Sequence, residues 1–289
     1  MTILVTAASG ALGHLVIDAL LARGVAPSEI VAGARTPAKA DDIAERGVTI
    51  VPLDYDDAAS VEAAFVGVDR VLLISGSEVG KRAAQHQAVI DAAVRAGVKQ
   101  IAYTSLANVE RSSLVLAPEH LATERAIAES GLPATILRND WYAENYAANL
   151  DQAAATGVLL SATRGGRVSA AARADYAEAA AVALIGDAHI GEVYELAGDP
   201  LTYDEIAAAM GRALGRDVEH RDVSAADLRA ALESAGLDAG TIDFLTGLDE
   251  GIAAGDLDLE DPTLAALIGR PTTPLVEVLR AARGSEPAS

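Results

Sequence analysis

Residues 3–13 read ILVTAASGALG, an apolar run that leads directly into a glycine-containing turn. The run Ile3–Thr6 predicts a short buried strand, and Leu12–Arg23 has the spacing of an amphipathic helix. A glycine turn between a strand and a helix is where a dinucleotide pyrophosphate binds, because the helix N-terminus presents free N–H groups and partial positive charge. The stretch therefore predicts a Rossmann-type phosphate-binding loop.

One position of this loop departs from the usual pattern. Ala7, Gly10 and Gly13 have the spacing Gly-x-x-Gly-x-x-Gly, with alanine in the first place. Gly10 allows the backbone to approach a pyrophosphate, and Gly13 allows the helix to pack close to the strand. Alanine has fewer backbone conformations than glycine, so we expect Ala7 to weaken cofactor binding. The alternative, an ordinary turn, is less favoured because the motif joins a strand to a helix.

Outward from this stretch, apolar runs alternate with helical patterns through the first half of the chain. The predicted strands are Ile3–Thr6, Ile30–Ala34, Val48–Leu53, Arg70–Ile74, Lys99–Thr104 and Ala134–Leu137. The predicted helices are Leu12–Arg23, Ala38–Arg46, Asp57–Phe65, Lys81–Ala96 and Leu116–Ser130. This alternation predicts an α/β protein, a Rossmann doubly wound parallel sheet with helices on both faces.

The alternation loosens after Leu137. The helices predicted there are Asp140–Ala155, Ala174–Ile185, Thr202–Leu214, Ala225–Ala235 and Thr263–Ile268. The strands predicted there are Val158–Leu160, Arg167–Ser169 and Val193–Leu196. We therefore expect a dinucleotide-binding domain over residues 1–139 and a smaller α/β C-terminal lid over residues 140–283, partly interleaved with the first. Residues 284–289 are expected to form a disordered tail.

Composition excludes several functional classes. The chain has 289 residues, 51% of them hydrophobic and none of them cysteine, so redox chemistry through thiols or iron–sulfur clusters is excluded. Its net charge of −20, without a run of Lys or Arg, argues against nucleic acid as a partner. No apolar stretch approaches the ~20 residues of a membrane span, and the first predicted strand leaves no room for a signal peptide. We expect a cytoplasmic protein without a membrane partner.

The end of the second predicted strand indicates NADPH rather than NADH. An NAD site usually has a carboxylate there, whereas this strand ends in Gly33-Ala34-Arg35. Arg35 is a planar donor suited to a 2′-phosphate, and Lys39 lies one helical turn beyond it. The alternative is that Arg35 only covers the sheet edge. Asp54, after the third strand, suits either the adenine end of the cofactor or an N-cap of the next helix.

Several segments resemble the NmrA-like group of atypical short-chain dehydrogenase/reductases. These segments are Thr6–Gly13, Leu73–Gly80, Ile101–Ser105, Leu137–Tyr146, Ala172–Tyr176, Val193–Leu196 and Leu267–Thr272. Within the group, the similarity is greatest to the bacterial type-2 NAD(P)H:quinone oxidoreductases and next to the triphenylmethane dye reductases. The resemblance covers nearly the whole chain.

The resemblance implies a role for each part of the site. The pyrophosphate would lie against Thr6, Ala7, Ala8, Ser9, Gly10, Ala11 and Leu12. Arg35, assisted by Lys39, would bind the 2′-phosphate, and the ribose and phosphate path would be lined by Ser75, Gly76 and Ser77. The nicotinamide would be flanked by Asn139, Asp140, Trp141, Tyr142, Ala143 and Glu144. Arg173 would close the cavity from the second half of the chain.

The helix after the fifth strand lacks the Tyr-x-x-x-Lys pair of ordinary short-chain dehydrogenases. The only lysines are Lys39, Lys81 and Lys99, and none follows a tyrosine by four residues. His120 and Glu124 stand in that region, on one helix face. Three interpretations are open: a hydrogen bond on the helix surface, a proton-donating His120 steadied by Glu124, or a metal site. Two ligands barely support the last, so no metal is expected.

Aromatic residues are few and concentrate near the proposed nicotinamide site. We expect Tyr103 to stack on a flat substrate, and at least one of Trp141, Tyr142 and Tyr146 to line the pocket. The alternative for the last three is that they pack the lid onto the sheet. His120 and Tyr142 are the candidate catalytic residues. The other histidines, which have no evident partner in the sequence, are expected to be structural or exposed: His14, His86, His189 and His220.

Together these features predict an enzyme that transfers hydride from NADPH to a planar, electron-poor acceptor. A quinone fits, because its anionic product can take a proton from solvent without a strongly positioned acid. The alternatives are a reductase of dyes, azo compounds or carbonyl substrates, and an NADP(H)-binding sensor without turnover, as some NmrA-like proteins are. A sugar-nucleotide epimerase or dehydratase normally needs the missing dyad. We expect a monomer or a homodimer.

Overall fold

The structure, a computed structural model, describes residues 1–284. The strands are β1 Ile3–Val5, β2 Ile30–Ala34, β3 Thr49–Pro52, β4 Arg70–Leu73, β5 Gln100–Leu106, β6 Ala134–Asn139, β7 Val158–Ser161, β8 Arg167–Val168, β9 Val193–Leu196, β10 Leu201–Thr202 and β11 Glu219–Asp222. The helices are α1 Ala11–Ala22, α2 Asp41–Ala44, α3 Ala58–Ala64, α4 Arg82–Ala96, α5 Ala117–Ser130, α6 Leu150–Thr156, α7 Arg173–Leu184, α8 Tyr203–Leu214, α9 Ala225–Ser234, α10 Ala239–Ala254, α11 Thr263–Ile268 and α12 Leu275–Gly284. The predicted tail lies outside the described residues, except for Gly284, which ends α12 instead.

Seven strands form one parallel sheet in the order β3-β2-β1-β4-β5-β6-β9. Helices α1 and α7 contribute to the core on one face of this sheet, and α3, α4 and α5 contribute to the core on the other. The predicted doubly wound α/β fold is confirmed. Because the chain leaves β1 toward β2 and later returns to β4 on the other side, the carboxyl ends of β1 and β4 open a crevice at the switch point.

The strand sequences explain why this sheet is buried on both faces. Residues Ile3–Val5 of β1, Arg70–Leu73 of β4 and Gln100–Leu106 of β5 are buried throughout. Continuous aliphatic runs of this kind suit a parallel sheet that helices cover on both sides. Because both faces of these strands are buried, polar residues stand mostly at the strand ends, and the site lies at the carboxyl ends.

Part of the second half returns to the main sheet. β9 pairs in parallel with β6, with Ile136 opposite Val193, and α7 packs against α1. The predicted boundary near residue 140 stays a prediction. The predicted helix Asp140–Ala155 is wrong at its start: a 3-10 helix over Ala143–Asn149 precedes α6, and the residues before it are extended. The Asp140 N–H donates to the Leu196 carbonyl, which holds that segment beside the sheet.

The remaining elements, called the lid below, pack around a second hydrophobic core, to which Leu106, Leu114 and Ala117 of the first half also contribute. β11 pairs in parallel with β7, and β10 pairs with β8 in antiparallel orientation. The lid core joins α8, α10 and α12 through residues such as Met210, Ile252 and Leu279, which are fully buried. Among the helices within residues 1–284, none has the length and apolar character that crossing a bilayer requires.

The histidines expected to lack partners all have one. His14 pairs with Asp42, and His189 Nδ1 is 2.8 Å from the Tyr194 hydroxyl. His220 lies between Asp204 and Ser161, with both contacts at 2.8 Å. These hydrogen bonds connect Asp204, His220 and Ser161 in the order of a Ser-His-Asp triad. Ser161, however, is only 1% exposed, so the three side chains connect β7, β11 and α8 and do not act on a substrate.

Candidate functional site

A cavity of about 600 Å³ opens along the carboxyl edge of the main sheet, at the switch point between β1 and β4. It brings together most of the predicted site residues: Ala7, Ser9, Gly10, Ala11, Leu12, Arg35, Ser75, Gly76, Ser77, His120, Asn139, Asp140, Trp141, Tyr142 and Arg173. These residues come from the segments that follow β1, β2, β4 and β6, from the end of β6 itself, from α5 and from the start of α7. Parallel topology places all of those strand ends at one edge, which explains why distant sequence segments meet there.

Two residues of the predicted phosphate loop support it from behind. The Ala8 side chain is fully buried, and its N–H donates to the Gly33 carbonyl over 2.9 Å, so this amide is not available to a phosphate. Thr6 is also buried, and its Oγ1 donates to the Leu72 carbonyl and accepts from the Ile74 N–H. Both residues tie the loop to β2 and β4. The cofactor contacts predicted for Thr6 and Ala8 stay predictions.

Three further predicted residues lie outside the cavity lining. Lys39 is exposed on a short 3-10 helix, Pro37–Ala40, and is not among the residues that line the cavity. Ala143 is 1% exposed and packs in the lid core. Both carboxylate oxygens of Glu144 accept the Arg173 N–H, at 3.0 and 3.1 Å. Ala143 and Glu144 therefore shape the cavity wall by holding the lid and the start of α7.

The N-terminus of α1 provides an anion site in this cavity. The first helical N–H that donates to a backbone carbonyl is that of His14, which donates to the Gly10 carbonyl over 3.0 Å. The N–H groups of Ala11, Leu12 and Gly13 precede it, so the helix gives them no carbonyl partner. All three residues line the cavity. Free amides and the helix dipole together favour a phosphate at this point.

Ala7 adopts the backbone conformation that the sequence pattern reserves for glycine. Its φ is +48°, in the left-handed region. An L-residue pays about 1–2 kcal/mol of strain there, because its Cβ approaches the following carbonyl. The loop therefore keeps the glycine geometry and stores strain at this residue.

Ala7→Gly should raise the free energy of unfolding by about 0.5–1 kcal/mol, since relief of left-handed strain exceeds the added entropy of the unfolded chain. Thermal or urea unfolding measures the change. Ala11→Gly is the matched control, because Ala11 is an exposed residue in the first turn of α1 and its φ is not positive. We expect that control to lower stability by about 0.5–1 kcal/mol. A loss of stability in Ala7→Gly as large as in the control would contradict the strain.

A charged triplet lies where β2 ends. Arg35, the residue after β2, has Nη1 3.3 Å from Oε1 of Glu78, and Lys81 has Nζ 2.9 Å from Oε2 of the same carboxylate. The hydrogen bond and charge of Lys81, and then the charge of Arg35, lower the pKa of Glu78. The carboxylate is therefore ionised at neutral pH. Lys81, rather than Lys39, is the lysine that shares a partner with Arg35.

Asp54 lines the cavity beside Tyr55. Its Oδ1 accepts the Asp56 N–H over 3.1 Å, whereas the N-cap of α3 is Asp57, which accepts the Ala59 N–H. The helix-cap interpretation of Asp54 is therefore wrong. Its placement at the adenine end stays a prediction.

The loop after β4 is held by a buried histidine that the sequence did not reveal. The Gly76 N–H donates to His86 Nε2 over 3.0 Å, and Arg82 Nε donates to the Gly76 carbonyl over 2.7 Å. His86 Nδ1 is 2.9 Å from Thr123 Oγ1, which itself donates to the Glu119 carbonyl. Because Nε2 must accept from Gly76, the proton of His86 belongs on Nδ1. The backbone N–H and the carbonyl of Gly76 are thus both fixed by hydrogen bonds.

His120 lines the cavity with one ring nitrogen already engaged. Its Nδ1 is 2.7 Å from the Tyr103 hydroxyl, while Nε2 has no hydrogen-bond partner within residues 1–284. Tyr103 is 0% exposed and lies inside β5, so the predicted stacking of Tyr103 on a substrate is wrong. Its hydroxyl instead orients the His120 ring.

The predicted His120–Glu124 pair does not form. Glu124 Oε1 accepts from Ser105 Oγ over 2.5 Å and from Arg138 Nε over 3.0 Å, and its Oε2 accepts from Arg138 Nη2 over 2.7 Å. A bidentate arginine contact of this kind fixes the carboxylate. Within residues 1–284, no group of three or more potential ligands is arranged to hold a metal ion. Glu124 therefore connects β5 and β6, and the side-chain partner of His120 is Tyr103.

Both buried histidines are neutral imidazoles. Burial, and then the positive charge of Arg82, lower the pKa of His120 and of His86 to about 3. Arg82 is itself 4% exposed and lies at the cavity wall. Burial likewise raises the pKa of Tyr103, so its hydroxyl keeps its proton. His120 can therefore act as a neutral hydrogen-bond donor or acceptor, but not as an imidazolium.

Two of the five histidines should fail to titrate between about pH 5 and 8, because their charged forms are destabilised by burial and by Arg82. The ring C–H chemical shifts, followed by NMR across that range, measure this directly. His86→Gln and His120→Gln assign the two signals by removing them. An ordinary titration near the usual histidine pKa at either position would contradict the buried network.

The far end of the cavity carries unsatisfied polar atoms. Asp140 is 4% exposed, and its Oδ1 accepts the Trp141 N–H over 2.7 Å. Within residues 1–284, Asp140 Oδ2 and Asn139 Oδ1 are buried without a hydrogen-bond partner. Burial raises the pKa of Asp140 well above its usual value, which favours the protonated form of its carboxyl group. Two buried oxygens without a partner thus stand side by side, as a bound polar group would require.

Aromatic and cationic side chains form the wall next to these atoms. The Arg173 guanidinium lies 4.9 Å from the centre of the Tyr142 ring, and Arg173 Nη2 donates to Asn145 over 2.8 Å. Trp141 and Tyr142 line the cavity, whereas Tyr146 is buried against Tyr203 in the lid. Burial raises the pKa of Tyr142, so its hydroxyl stays protonated at neutral pH.

Sequence reasoning missed several wall residues. They are Leu53, Tyr55, Ile74, Glu78, Arg82, Gln85, Ser105, Leu106 and Leu116. Most of them follow a predicted strand directly or begin the helix after it. The rule that sites lie at the carboxyl ends of parallel strands could have found Arg82 and Tyr55. Which face of α4 or α5 meets the cavity depends on packing and has no local signal.

Comparison with known proteins gives one family. The model described as the NmrA-like family matches residues 1–246, which is most of the chain. Quinone oxidoreductase 2 of Escherichia coli (strain K12) is 48% identical over 276 residues, which cover 95% of this chain and 96% of that protein.

Two solved structures share the whole fold. A crystal structure of an NADPH-dependent quinone oxidoreductase from Escherichia coli, complexed with NADPH, has a TM-score of 0.92 and 47% identity, covering 97% of this chain and 99% of that one. The Citrobacter sp. triphenylmethane reductase complexed with NADP(H) has a TM-score of 0.92 and 35% identity, covering 97% of this chain and 100% of that one.

Proposed function

Because the chain belongs to the NmrA-like family, we propose that its cavity binds NADPH and holds a quinone beside the nicotinamide for reduction. The protein is an NAD(P)H-dependent oxidoreductase, and NADPH is its cofactor. The observation that carries the choice of acceptor is the cavity wall, where a neutral His120 lies close to the positive charge of Arg82. The quinone-reducing relatives support the same choice.

The chain's own residues fit the two ends of NADPH. The free amides at the start of α1 suit the pyrophosphate, and Arg35 suits the 2′-phosphate as a planar charged donor. At the other end, Asn139 Oδ1 can accept from the amide nitrogen of the nicotinamide carboxamide. Burial favours the protonated form of the Asp140 carboxyl group, which can donate to the oxygen of the same carboxamide. This pairing satisfies both buried atoms that otherwise lack a partner.

The charges of the wall favour a neutral or anionic acceptor. Arg35, Arg82 and Arg173 line the cavity together with Asp54, Glu78 and Asp140, and burial favours the protonated form of Asp140. The cavity wall is therefore less acidic than the protein as a whole, whose net charge is −20. A cationic dye would meet repulsion from Arg82 and Arg173. A quinone, whose reduction develops negative charge, would be stabilised by them.

His120 has the geometry of a neutral hydrogen-bond donor to the acceptor. When bound, NADPH supplies the hydride, and the protein supplies position and electrostatics. When the Tyr103 hydroxyl donates to Nδ1, His120 carries its proton on Nε2, which is then free to donate to the acceptor oxygen as negative charge grows. His120 keeps that proton, and solvent completes the product. Tyr142, a neutral phenol at the same wall, is a second candidate donor.

Nicotinamide absorbance with a small quinone, compared with a cationic triphenylmethane dye, tests this function. We expect protein-dependent NADPH oxidation that is faster with the quinone, after the protein-free rate is subtracted. His120→Gln should lower kcat/KM for the quinone about 10–100-fold and leave the Kd for NADPH unchanged. His189→Gln, a histidine bonded to Tyr194 outside the cavity lining, is the matched control. A preference for the dye would contradict the charge argument, and NADPH binding without turnover would indicate a sensor.

The oligomeric state and the location of the protein stay predictions: a monomer or homodimer, in the cytoplasm.

A further inference from the structure

We infer that Glu78 is a tethered competitor of the NADPH 2′-phosphate, and that it thereby limits the preference of the protein for NADPH over NADH. The inference rests on the proposed role of Arg35 as the 2′-phosphate ligand. It concerns a residue that neither the glycine loop nor the strand pattern predicted as part of the site.

The geometry places the Glu78 carboxylate on the cations that a phosphate needs. Its two oxygens contact different cations, with Oε1 3.3 Å from Arg35 and Oε2 2.9 Å from Lys81. Arg35 and Glu78 both line the cavity. The side chains are partly exposed, at 68% for Arg35, 38% for Glu78 and 61% for Lys81, so they can move apart. Without cofactor, the carboxylate occupies the cations as a bound anion would.

A phosphate that approaches Arg35 must therefore displace or oppose a negative charge. If the phosphate displaces Glu78, the two ion pairs of Glu78 are lost. If both anions stay, the carboxylate repels a phosphate of nearly two negative charges. Because all three side chains are partly exposed, water and salt screen both effects. We expect a penalty of about fivefold to tenfold in NADPH affinity at low ionic strength. NADH has no 2′-phosphate and escapes it.

The carboxylate is not needed to hold its own loop. The Lys81 N–H donates to the backbone carbonyl of Glu78 over 3.2 Å, and the Gly80 N–H donates to Glu119 over 3.0 Å. On the other side, the Gly76 peptide is fixed by His86 and Arg82. Other contacts thus maintain the loop on both sides of Glu78.

The competition applies equally to the oxidised cofactor. NADP⁺ carries the same 2′-phosphate, so Glu78 should weaken its binding by the same factor. A tethered carboxylate that returns to Arg35 and Lys81 therefore favours departure of the product cofactor.

Fluorescence titrations of Glu78→Gln with NADPH, NADP⁺ and NADH test the inference. The amide keeps the shape of the side chain and removes its charge. We expect NADPH and NADP⁺ to bind about fivefold to tenfold more tightly at low salt, the gain to shrink at high salt, and NADH to be unchanged within about twofold. Glu219→Gln, at an exposed ion pair with Arg221 in the lid, is the matched control and should change none of these constants.

Arg35→Ala separates this inference from the function on which it rests. If Arg35→Ala leaves the ratio of NADPH to NADH affinity unchanged, the proposed 2′-phosphate site fails. If Arg35→Ala lowers that ratio but Glu78→Gln leaves or weakens NADPH binding, the site stands and the competitor role is overturned. An equal gain for NADH in Glu78→Gln would also overturn it, because the 2′-phosphate would then not be the group opposed.

Discussion

Gly13→Ala is expected to abolish measurable NADPH binding and to lower the melting temperature. A Cβ on Gly13 would lie 2.5 Å from the Ala7 carbonyl oxygen and 2.7 Å from the Ala8 Cα. Both are backbone atoms, so α1 can make room only by moving away from the loop. Overpacking of this kind costs about 1–3 kcal/mol of stability or more. The same movement takes the free amides of the helix N-terminus out of register with the pyrophosphate.

Isothermal titration with NADPH, combined with thermal unfolding, measures both effects, and we expect at least about a 100-fold loss of affinity, the equivalent of about 2.7 kcal/mol. Gly247→Ala in α10 is the matched control, because Gly247 is exposed in a helix and a Cβ there meets nothing within 4 Å. That control should be stabilised by up to about 1 kcal/mol. A Gly13→Ala protein with unchanged melting temperature and NADPH affinity would show that the contact between loop and helix is not tight.

Arg35→Ala should weaken NADPH binding about 30-fold and leave NADH binding unchanged within about twofold. Charged hydrogen bonds to a phosphate contribute about 1.5–3 kcal/mol, and Arg35 is 68% exposed, so part of that range is lost to solvent screening. The loss of NADPH affinity is smaller still, because Arg35→Ala also removes the Arg35–Glu78 ion pair from the cofactor-free protein, and the phosphate no longer has to break it.

Fluorescence titration of both cofactors measures the change in selectivity. Arg221→Ala, which removes an exposed arginine from an ion pair in the lid, is the control and should bind both cofactors as the unmodified protein does. Equal weakening of NADPH and NADH by Arg35→Ala would place the arginine at the pyrophosphate or adenine rather than at the 2′-phosphate.

Most of the sheet was predictable because burial on two faces leaves a strong local signal. The runs at β1, β2 and β4 are mostly aliphatic, β5 is buried throughout, and glycines follow the helices between them. Val193–Leu196 was predicted as a strand, but its place beside β6 was not, since pairing between distant segments has no local pattern. The segment after β6 was predicted as one helix because its composition is helical. The hydrogen bond from Asp140 to Leu196 overrides that tendency.

The site residues could be predicted where their position depends only on the end of a strand or on the glycine loop. Arg35 follows β2 directly and therefore reaches the cavity, whereas Lys39 lies on a turn whose direction only the packing decides. The burial of Tyr103 was missed for the same reason, and so were the partners that His86 has inside the protein. Their roles depend on partners on other elements, Gly76 and His120, that lie near them only in the folded chain.

The central claim is that NADPH held in this cavity gives its hydride to a quinone. Single-turnover stopped flow measures it: protein loaded with one equivalent of NADPH is mixed with a small quinone, and the decay of nicotinamide absorbance is followed. We expect a single fast decay, far above the rate for free NADPH, that slows when the transferred hydrogen of NADPH is replaced by deuterium. If bound NADPH persists after the quinone is added, the protein holds the cofactor without passing on its hydride, and the proposed function is wrong.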